Sequence, residues 1–248
     1  MRELLHSELI KLRTTRTFYA LAGVSIGLAL VFVTLSALLT DEPTKESALQ
    51  DIFLSDPSSF FILILAIVGI TGEWRHRTIT SSLLAAPLRV RFLLAKMLAF
   101  ASAGVLLSLA ISVVIGVVGL TILSIRDEAT PDLADLIVQF LRNAGVAAIL
   151  GALGVCVGAL IRNQPTAIVF VLVLGFVIDP LLGALAPEVE KFSPFGAVIN
   201  SIQGISPENA GMPDVDYLDV PVALVMEAVW GLALFAAAAY LLRTRDVD

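Results

Sequence analysis

The chain is poor in the side chains that most catalytic and metal sites use. Among its 248 residues there are one cysteine, two histidines, two tryptophans and three tyrosines, and charged residues make up only 15%. An intramembrane metalloprotease needs several metal ligands, but His6 and His76 both lie outside the long apolar runs. Cys156 is alone and cannot form an intrachain disulfide. We therefore expect no catalytic centre, no metal site and no bound cofactor on this chain.

A nucleotide-binding motif is missing as well. No Gly-x-x-x-x-Gly-Lys-Ser/Thr sequence occurs, and the longest segment on the predicted cytoplasmic side, about 20 residues, is too short for a nucleotide-binding domain. If this protein uses ATP and Mg²⁺, another polypeptide must bind them.

The chain is rich in hydrophobic residues, which form long apolar runs. Hydrophobic residues make up 58% of it, and the mean hydropathy is +0.93, well outside the range of soluble proteins. A helix crosses a bilayer in about 20 residues, and backbone groups in lipid must be paired within such helices. The sequence predicts an all-α membrane protein with a single domain over residues 1–248. Six spans are expected, at about 18–39, 57–72, 93–123, 137–161, 166–186 and 221–242.

The basic residues are distributed asymmetrically. Most of the 16 Lys and Arg residues precede the first span, lie between the second and third spans, or follow the last one, whereas acids crowd the alternate loops. Loops rich in Lys and Arg stay in the cytoplasm. We therefore expect a multi-pass protein of a plasma membrane, bacterial in type, with both termini cytoplasmic. The net charge of −6 comes from the outer loops, so a nucleic-acid partner is not expected.

A helix is predicted ahead of the first span. Leu5, Leu9 and Leu12 recur at helical spacing, whereas Glu8 and Lys11 fall on other faces. This pattern favours an amphipathic helix that lies along the inner surface of the lipid bilayer. An ordinary basic anchor ahead of a span is the alternative.

The connection between the second and third spans has the most informative pattern. From Glu73 onward it reads Glu-x-Arg-x-x-Thr, then Leu-Leu-x-x-Pro, then Arg and finally Lys96. Residues 78–86 are expected to form a short helix that ends ahead of Pro87, because proline disfavours α geometry in the residue before it. A plain basic loop that obeys the positive-inside rule is the alternative.

In their order along the chain, these elements resemble the membrane permease subunit of ABC-2 type exporters. The resemblance rests on the basic segment 8–13, the six spans, the connection 73–96 and the Ser193-Pro194 segment before the last span. It implies an ABC ATPase in two copies, with ATP and Mg²⁺ on that partner, and a second permease copy or paralogue. It also implies a coupling helix over 78–86. The residues expected to couple to the ATPase are Glu73, Arg75, Arg77, Thr78, Leu83, Leu84, Pro87 and Arg89.

By the same resemblance, the second and fifth spans line the translocation path. The second span offers an apolar wall that includes Phe60, Phe61, Leu63 and Ile64. This wall favours export of a hydrophobic or amphipathic cargo, such as a drug, a peptide antibiotic or a lipid.

Three charged residues fall within the predicted spans. Arg142, Asp179 and Glu227 are at similar depths in the outer third of the membrane when helices are counted at about 1.5 Å per residue. They could form a structural ion pair, or an outer gate that contacts the cargo. Two other functions stay open: an ATP-independent carrier that uses Asp179 and Glu227, and an accessory subunit that does not itself form the path.

The outer segment 187–220 combines an apolar middle at 195–199 with four prolines. We expect it to form a re-entrant helix before the last span, with a disordered loop as the alternative. Glycines at 151, 154 and 158 predict close helix packing in the fourth span.

Overall fold

The structure, a computed structural model, describes residues 1–40, 43–52, 54, 56–79 and 88–244. Over these residues it is all-helical, and six of the helices are long and apolar enough to cross a membrane, which confirms the predicted fold class. The helices are α1 (Arg2–Thr14), α2 (Arg16–Leu39), α3 (Lys45–Asp51), α4 (Ser58–Arg75), α5 (Arg89–Ile125), α6 (Leu133–Ile161), α7 (Gln164–Leu185), α8 (Pro187–Glu190), α9 (Ala197–Gln203) and α10 (Val220–Thr244).

The end of α4 is set by a left-handed residue. Arg77 has φ 56°, its amide donates to the carbonyl of Trp74, and the amide of Thr78 donates to the carbonyl of Glu73. This is the Schellman arrangement, which pairs the last carbonyls of a helix. Thr78 therefore takes part in the cap of α4, and the helix expected over 78–86 stays a prediction. Most of the residues expected in that helix, among them Leu83 and Leu84, lie outside the described residues, as does Pro87 after it.

α6 lies at the centre of the bundle, against α4, α5, α9 and α10. Its glycines allow this close approach. A Cβ on Gly151 would lie 2.7 Å from the main-chain oxygen of Phe100, and a Cβ on Gly154 would lie 2.7 Å from that of Leu63. The small residues of α6 therefore serve packing inside one chain.

Substituting Gly154 with valine should lower the thermal stability by more than the same change at Gly145. The added carbons at Gly154 would overlap the backbone of α4, and overpacking of this kind costs about 1–3 kcal/mol. Gly145 is the matched control, since its Cβ would meet nothing within 4 Å. Thermal denaturation of both purified variants checks this prediction; equal melting temperatures would contradict it.

The chain between α2 and α4 doubles back beside α5. Ala48 and Ile52 pack with Ile111, and Asp56 accepts a hydrogen bond from the hydroxyl of Ser108. Ser108 lies about 28 Å along α5 from its first residue. α4 therefore begins deep inside the bundle. Its 18 residues extend from that point to the end of the bundle where α1 lies, which explains why it is shorter than the other spans. The sequence did not predict α3, and it did not predict that the chain between α2 and α4 packs beside α5 inside the bundle.

The predicted fifth span, α7, contains a π-helical segment, Leu174–Ile178. Pro180 follows two residues later and has no amide hydrogen for a regular helical bond. A π segment lets the helix continue through such an interruption. α7, α2 and α10 lie at the periphery, whereas α4 and α6 are the most enclosed spans.

The outer segment between α7 and α10 is ordered into α8 and α9. Val198, Ile199 and Ile202 of α9 pack against Val146 and Leu150 of α6. The apolar middle of this segment is thus buried in protein. Its re-entry into a bilayer stays a prediction.

Candidate functional site

Four charged side chains meet where α1, α4 and α5 converge. The Lys96 ammonium on α5 donates to the carboxylates of Glu8 on α1 and Glu73 on α4, the latter at 2.8 Å. Lys11 also donates to both carboxylates, to Glu8 at 2.7 Å and to Glu73 at 3.2 Å. We call Glu8, Lys11, Glu73 and Lys96 the charge cluster, and the end of the bundle where it lies the basic end.

Most of the charge cluster is removed from solvent. The side chains of Lys96, Glu8 and Glu73 are 2%, 6% and 8% exposed, whereas that of Lys11 is 50% exposed. A buried charge is tolerated only when it is paired. Lys96 is the one fully enclosed cation of the cluster, and it holds the carboxylates of α1 and α4 together.

The pKa values of the two groups on α1 follow from this arrangement. Burial pushes the pKa of Glu8 upward, but the charges of Lys96 and Lys11 outweigh burial and hold it below its ordinary value. Burial pushes the pKa of Lys11 downward, but its bonds to Glu8 and Glu73 outweigh burial and raise it. Both groups therefore stay ionised at neutral pH.

The sequence assigned two members of the charge cluster to the wrong environment. Glu8 was expected on a polar face of α1, yet the buried face of this helix includes Leu4, Glu8 and Leu12, and Leu9 is exposed. Lys96 was grouped with the basic connection, yet it lies inside α5. The available signals were the four-residue spacing of Leu4, Glu8 and Leu12, and the apolar residues around Lys96.

Arginines on either side of segment 80–87 are hydrogen-bonded to other helices. Arg75 donates to the side-chain oxygen of Gln164 at 3.4 Å, and Arg89 donates to the main-chain carbonyl of Leu242. Arg162, at the end of α6, donates to the neighbouring carbonyl of Leu241 at 3.1 Å. The last carbonyls of α10 are thereby satisfied by cations, which suits the negative end of a helix.

A cavity of about 820 Å³ opens at the basic end beside the charge cluster. Its lining combines Glu8, Lys11, Glu73, Arg75 and Gln164 with an apolar wall from α2, α4 and α5. We call it the inner cavity.

The four predicted path residues divide between two environments. Phe60 and Ile64 lie on a partly exposed stripe of α4, and Ile64 lines the inner cavity. Phe60 also packs edge-on against Phe176 of α7. Phe61 and Leu63 are buried in the interior of this chain.

The three charged residues predicted to meet form no ion pair with one another in the described part of the chain. Arg142 forms no ion pair with Asp179 or Glu227 within the described part of the chain, and its guanidinium lies against the left-handed turn at Gly204. Beside it, α6 and α9 are joined by a buried amide network that the sequence did not predict. Its members are Gln139, Asn143 and Gln203.

Asp179 instead meets a second carboxyl group, that of Glu190. Both side chains converge on the Cα of Gly196, because a Cβ there would lie 3.1 Å from Oδ2 of Asp179 and still closer to Glu190. Ser193 donates to Asp179 at 2.8 Å, and the amide of Ala197 donates to Glu190 at 3.2 Å. Burial, followed by the charge of Asp179, raises the pKa of Glu190 to about 7. We call Asp179 and Glu190 the carboxyl pair.

Glu227 on α10 is isolated by comparison. It is 3% exposed, and neither carboxyl oxygen has a hydrogen-bond partner among the described residues.

Six helices that are long and apolar enough to cross a membrane define a multi-pass membrane protein. A family model described as ABC-2 family transporter protein matches residues 4–178, and the chain belongs to that family. Members are the membrane components of transporters, and the family in general implies an ABC ATPase partner. Comparison with curated proteins found no match.

Proposed function

We propose that this chain is the permease subunit of an ABC exporter that moves a hydrophobic or amphipathic cargo across the plasma membrane. Two copies of a separate ATPase would bind ATP and Mg²⁺, and a second permease copy or paralogue would complete the path. Family membership supports the ATPase partnership in general. The concentration of Lys and Arg at the basic end supports a cytoplasmic location for that end and for both termini.

The observation that carries the proposal is that the residues on both sides of segment 80–87 are hydrogen-bonded to other helices. On one side, Glu73 at the end of α4 is bonded to Lys96 and Lys11. On the other side, Arg89 at the start of α5 is bonded to the end of α10. A force applied to this segment would therefore reach α1, α4, α5 and α10 through directly bonded, packed elements, which are the physical carriers of coupling.

α4 connects this end to the proposed path. Its partly exposed stripe includes Phe60, Ile64 and Val68, and these residues run toward Arg75 at the basic end. A rigid displacement of α4 would move the stripe together with Glu73. The stripe is apolar, which supports a hydrophobic or amphipathic cargo over a sugar or an inorganic ion.

Substituting Leu83 or Leu84 with aspartate should abolish recovery of an ATPase subunit. A charge would be placed on the face proposed to enter a groove of the ATPase, where an unpaired charge is costly. The measurement is affinity purification of tagged permease, co-expressed with its neighbouring genes, followed by mass spectrometry and an ATPase assay. Leu88→Asp serves as the control, because Leu88 is exposed and lies outside the proposed helix. Intact permease that repeatedly purifies without any ATPase would contradict the proposal.

One observation favours an ATP-independent carrier as the second candidate. Asp179 and Glu227 are both buried within spans, and each has at least one carboxyl oxygen without a partner in the described part of the chain. Intramembrane acids of this kind are typical of proton-linked transport. A carrier of this type would move cargo in sealed vesicles under a proton gradient without ATP, and Glu227→Gln would stop it. Cargo movement that requires ATP would exclude it.

A further inference from the structure

We propose that the inner cavity binds an acidic amphiphile, with its anionic head group at Lys11 and Arg75 and its apolar body between α2 and α4. Only the role of the amphiphile as an exported cargo rests on the proposed function. Its binding depends on the shape and charge of the inner cavity.

The inner cavity has the size and walls of a ligand site. Its volume of about 820 Å³ falls within the roughly 300–1,000 Å³ that ligand pockets occupy. Leu21, Ile64, Val68 and Phe100 supply apolar walls from three helices. The rise along α4 from Ile64 to Arg75 is about 16 Å, which gives room for a hydrocarbon chain or fused rings.

The charges at the cavity differ in how far a ligand could reach them. Glu8 and Glu73 line the cavity, but their side chains are 6% and 8% exposed and already accept bonds from lysines. Lys11 is 50% exposed, and Arg75 is exposed. The reachable charge is therefore cationic, and the lining carries one more cation than anion, because Lys11, Lys96 and Arg75 face Glu8 and Glu73. Charge complementarity selects an anionic head group.

The polar lining adds neutral donors near the same place. Thr17 lies at the start of α2 and Gln164 lies beside Arg75, whereas the hydroxyl of Thr15 already donates to the main-chain carbonyl of Lys11. Thr15 is in an extended conformation between the two helices, so the backbone turns at the mouth of the inner cavity. An amphiphile in the inner leaflet would reach the mouth at this turn, with its head group toward the cytoplasm.

Binding would also act on the charge cluster. Lys11 is shared between Glu8 of α1 and Glu73 of α4, so an anionic ligand competes with both carboxylates for it. Occupation of the inner cavity would weaken the link between α1 and α4 while leaving Lys96 in place. Binding of cargo would thereby loosen the end of α4, which leads directly into the segment that follows it.

The test measures binding to the purified permease alone, in nanodiscs of phosphatidylcholine. Radiolabelled dodecanoate is the ligand, and dodecylamine, acetate and unlabelled dodecanoate are the competitors. We expect saturable binding, at least tenfold weaker competition by dodecylamine, and none by acetate, which lacks the apolar body. A second arm adds phosphatidylglycerol to the nanodiscs: displacement identifies a membrane lipid as a source of the anionic head, and retention identifies a free amphiphile.

Four variants locate the binding. Val68→Trp fills the inner cavity and should abolish saturable binding, whereas Val113→Trp, at a 62% exposed position on α5, should not. Lys11→Gln should weaken dodecanoate binding at least tenfold, and Lys11→Arg should restore it. Equal binding of dodecylamine and dodecanoate, or normal binding by Val68→Trp, would overturn the inference. Because no ATPase is present, failure to recover an ATPase would refute the proposed function without altering this result.

Discussion

Replacing Lys96 with methionine is expected to cause the largest loss of stability of any single charge removal among the residues that the structure describes. The change leaves the carboxylates of Glu8 and Glu73 buried with only Lys11 to neutralise them. Removing one partner of a buried ion pair costs about 3–5 kcal/mol, which is comparable to the total stability of many domains. We expect a large fall in melting temperature and in the monodisperse fraction of purified protein, measured by tryptophan fluorescence and size-exclusion chromatography.

Two further variants show whether the lost charge or the changed side-chain shape causes the fall in stability of Lys96→Met. Lys45→Met removes an ion pair with Asp132 whose side chains are 61% and 65% exposed, and it should leave the melting temperature nearly unchanged because solvent screens the pair. Adding Glu8→Gln and Glu73→Gln to Lys96→Met removes the two buried carboxylate charges and leaves only the half-exposed Lys11 ionised, so it should recover part of the lost stability. A Lys96→Met protein as stable as the parent would show that the charge cluster does not hold α1, α4 and α5 together.

The outer segment is expected to loosen as the pH rises from about 5 to 8. Two adjacent buried carboxyl groups cannot both ionise without repulsion, so the carboxyl pair is most stable when it holds a proton. Burial, followed by the charge of Asp179, raises the pKa of Glu190 in the folded protein from its ordinary value of 4.5 to about 7. A raised carboxyl pKa means that the folded state binds more protons. The stabilisation is therefore complete below about pH 4.5 and is lost as the pH rises through about 7.

Hydrogen exchange of residues 190–203, corrected for the intrinsic rate at each pH, measures this loosening. Protection should fall several-fold between pH 5 and pH 8, and Glu190→Gln should remove most of that dependence. Glu188→Gln is the control, because the side chain of Glu188 is 81% exposed. Tyr217 also interacts with Glu190, but burial raises the pKa of its hydroxyl above the ordinary value, so it stays protonated over this range and Tyr217→Phe should leave the pH dependence in place. Protection that is constant with pH in the parent would contradict a shared proton.

The positions of the spans could be predicted because each depends on local composition. A run of about 20 apolar residues has few structures available in lipid, so all six spans were found, although their ends were not. α5 begins at Arg89 instead of residue 93 and α4 continues to Arg75, because a helix need not end where its apolar residues end; the left-handed cap at Arg77 ends α4. α3 was missed because a polar helix of seven residues has no such signal.

The partners of the charged residues could not be predicted. Glu8 and Lys96 are 88 positions apart, and only the crossing of α1, α4 and α5 brings them together. Arg142 and Asp179 were matched by depth, but depth leaves the rotation of each helix undetermined. In the structure Asp179 turns toward the outer segment and meets Glu190, and Arg142 lies beside Gly204.

The sequence by itself determined that this protein is a six-span membrane protein with a basic end, and it indicated the transporter family that the family model confirms. Hydropathy and charge asymmetry act along the chain, so they can be read without coordinates. The tertiary structure decided which charges are buried, which partners neutralise them and where the inner cavity opens. Those properties depend on helix rotation and crossing, which arise from packing between segments distant in sequence, such as Gly154 of α6 against Leu63 of α4.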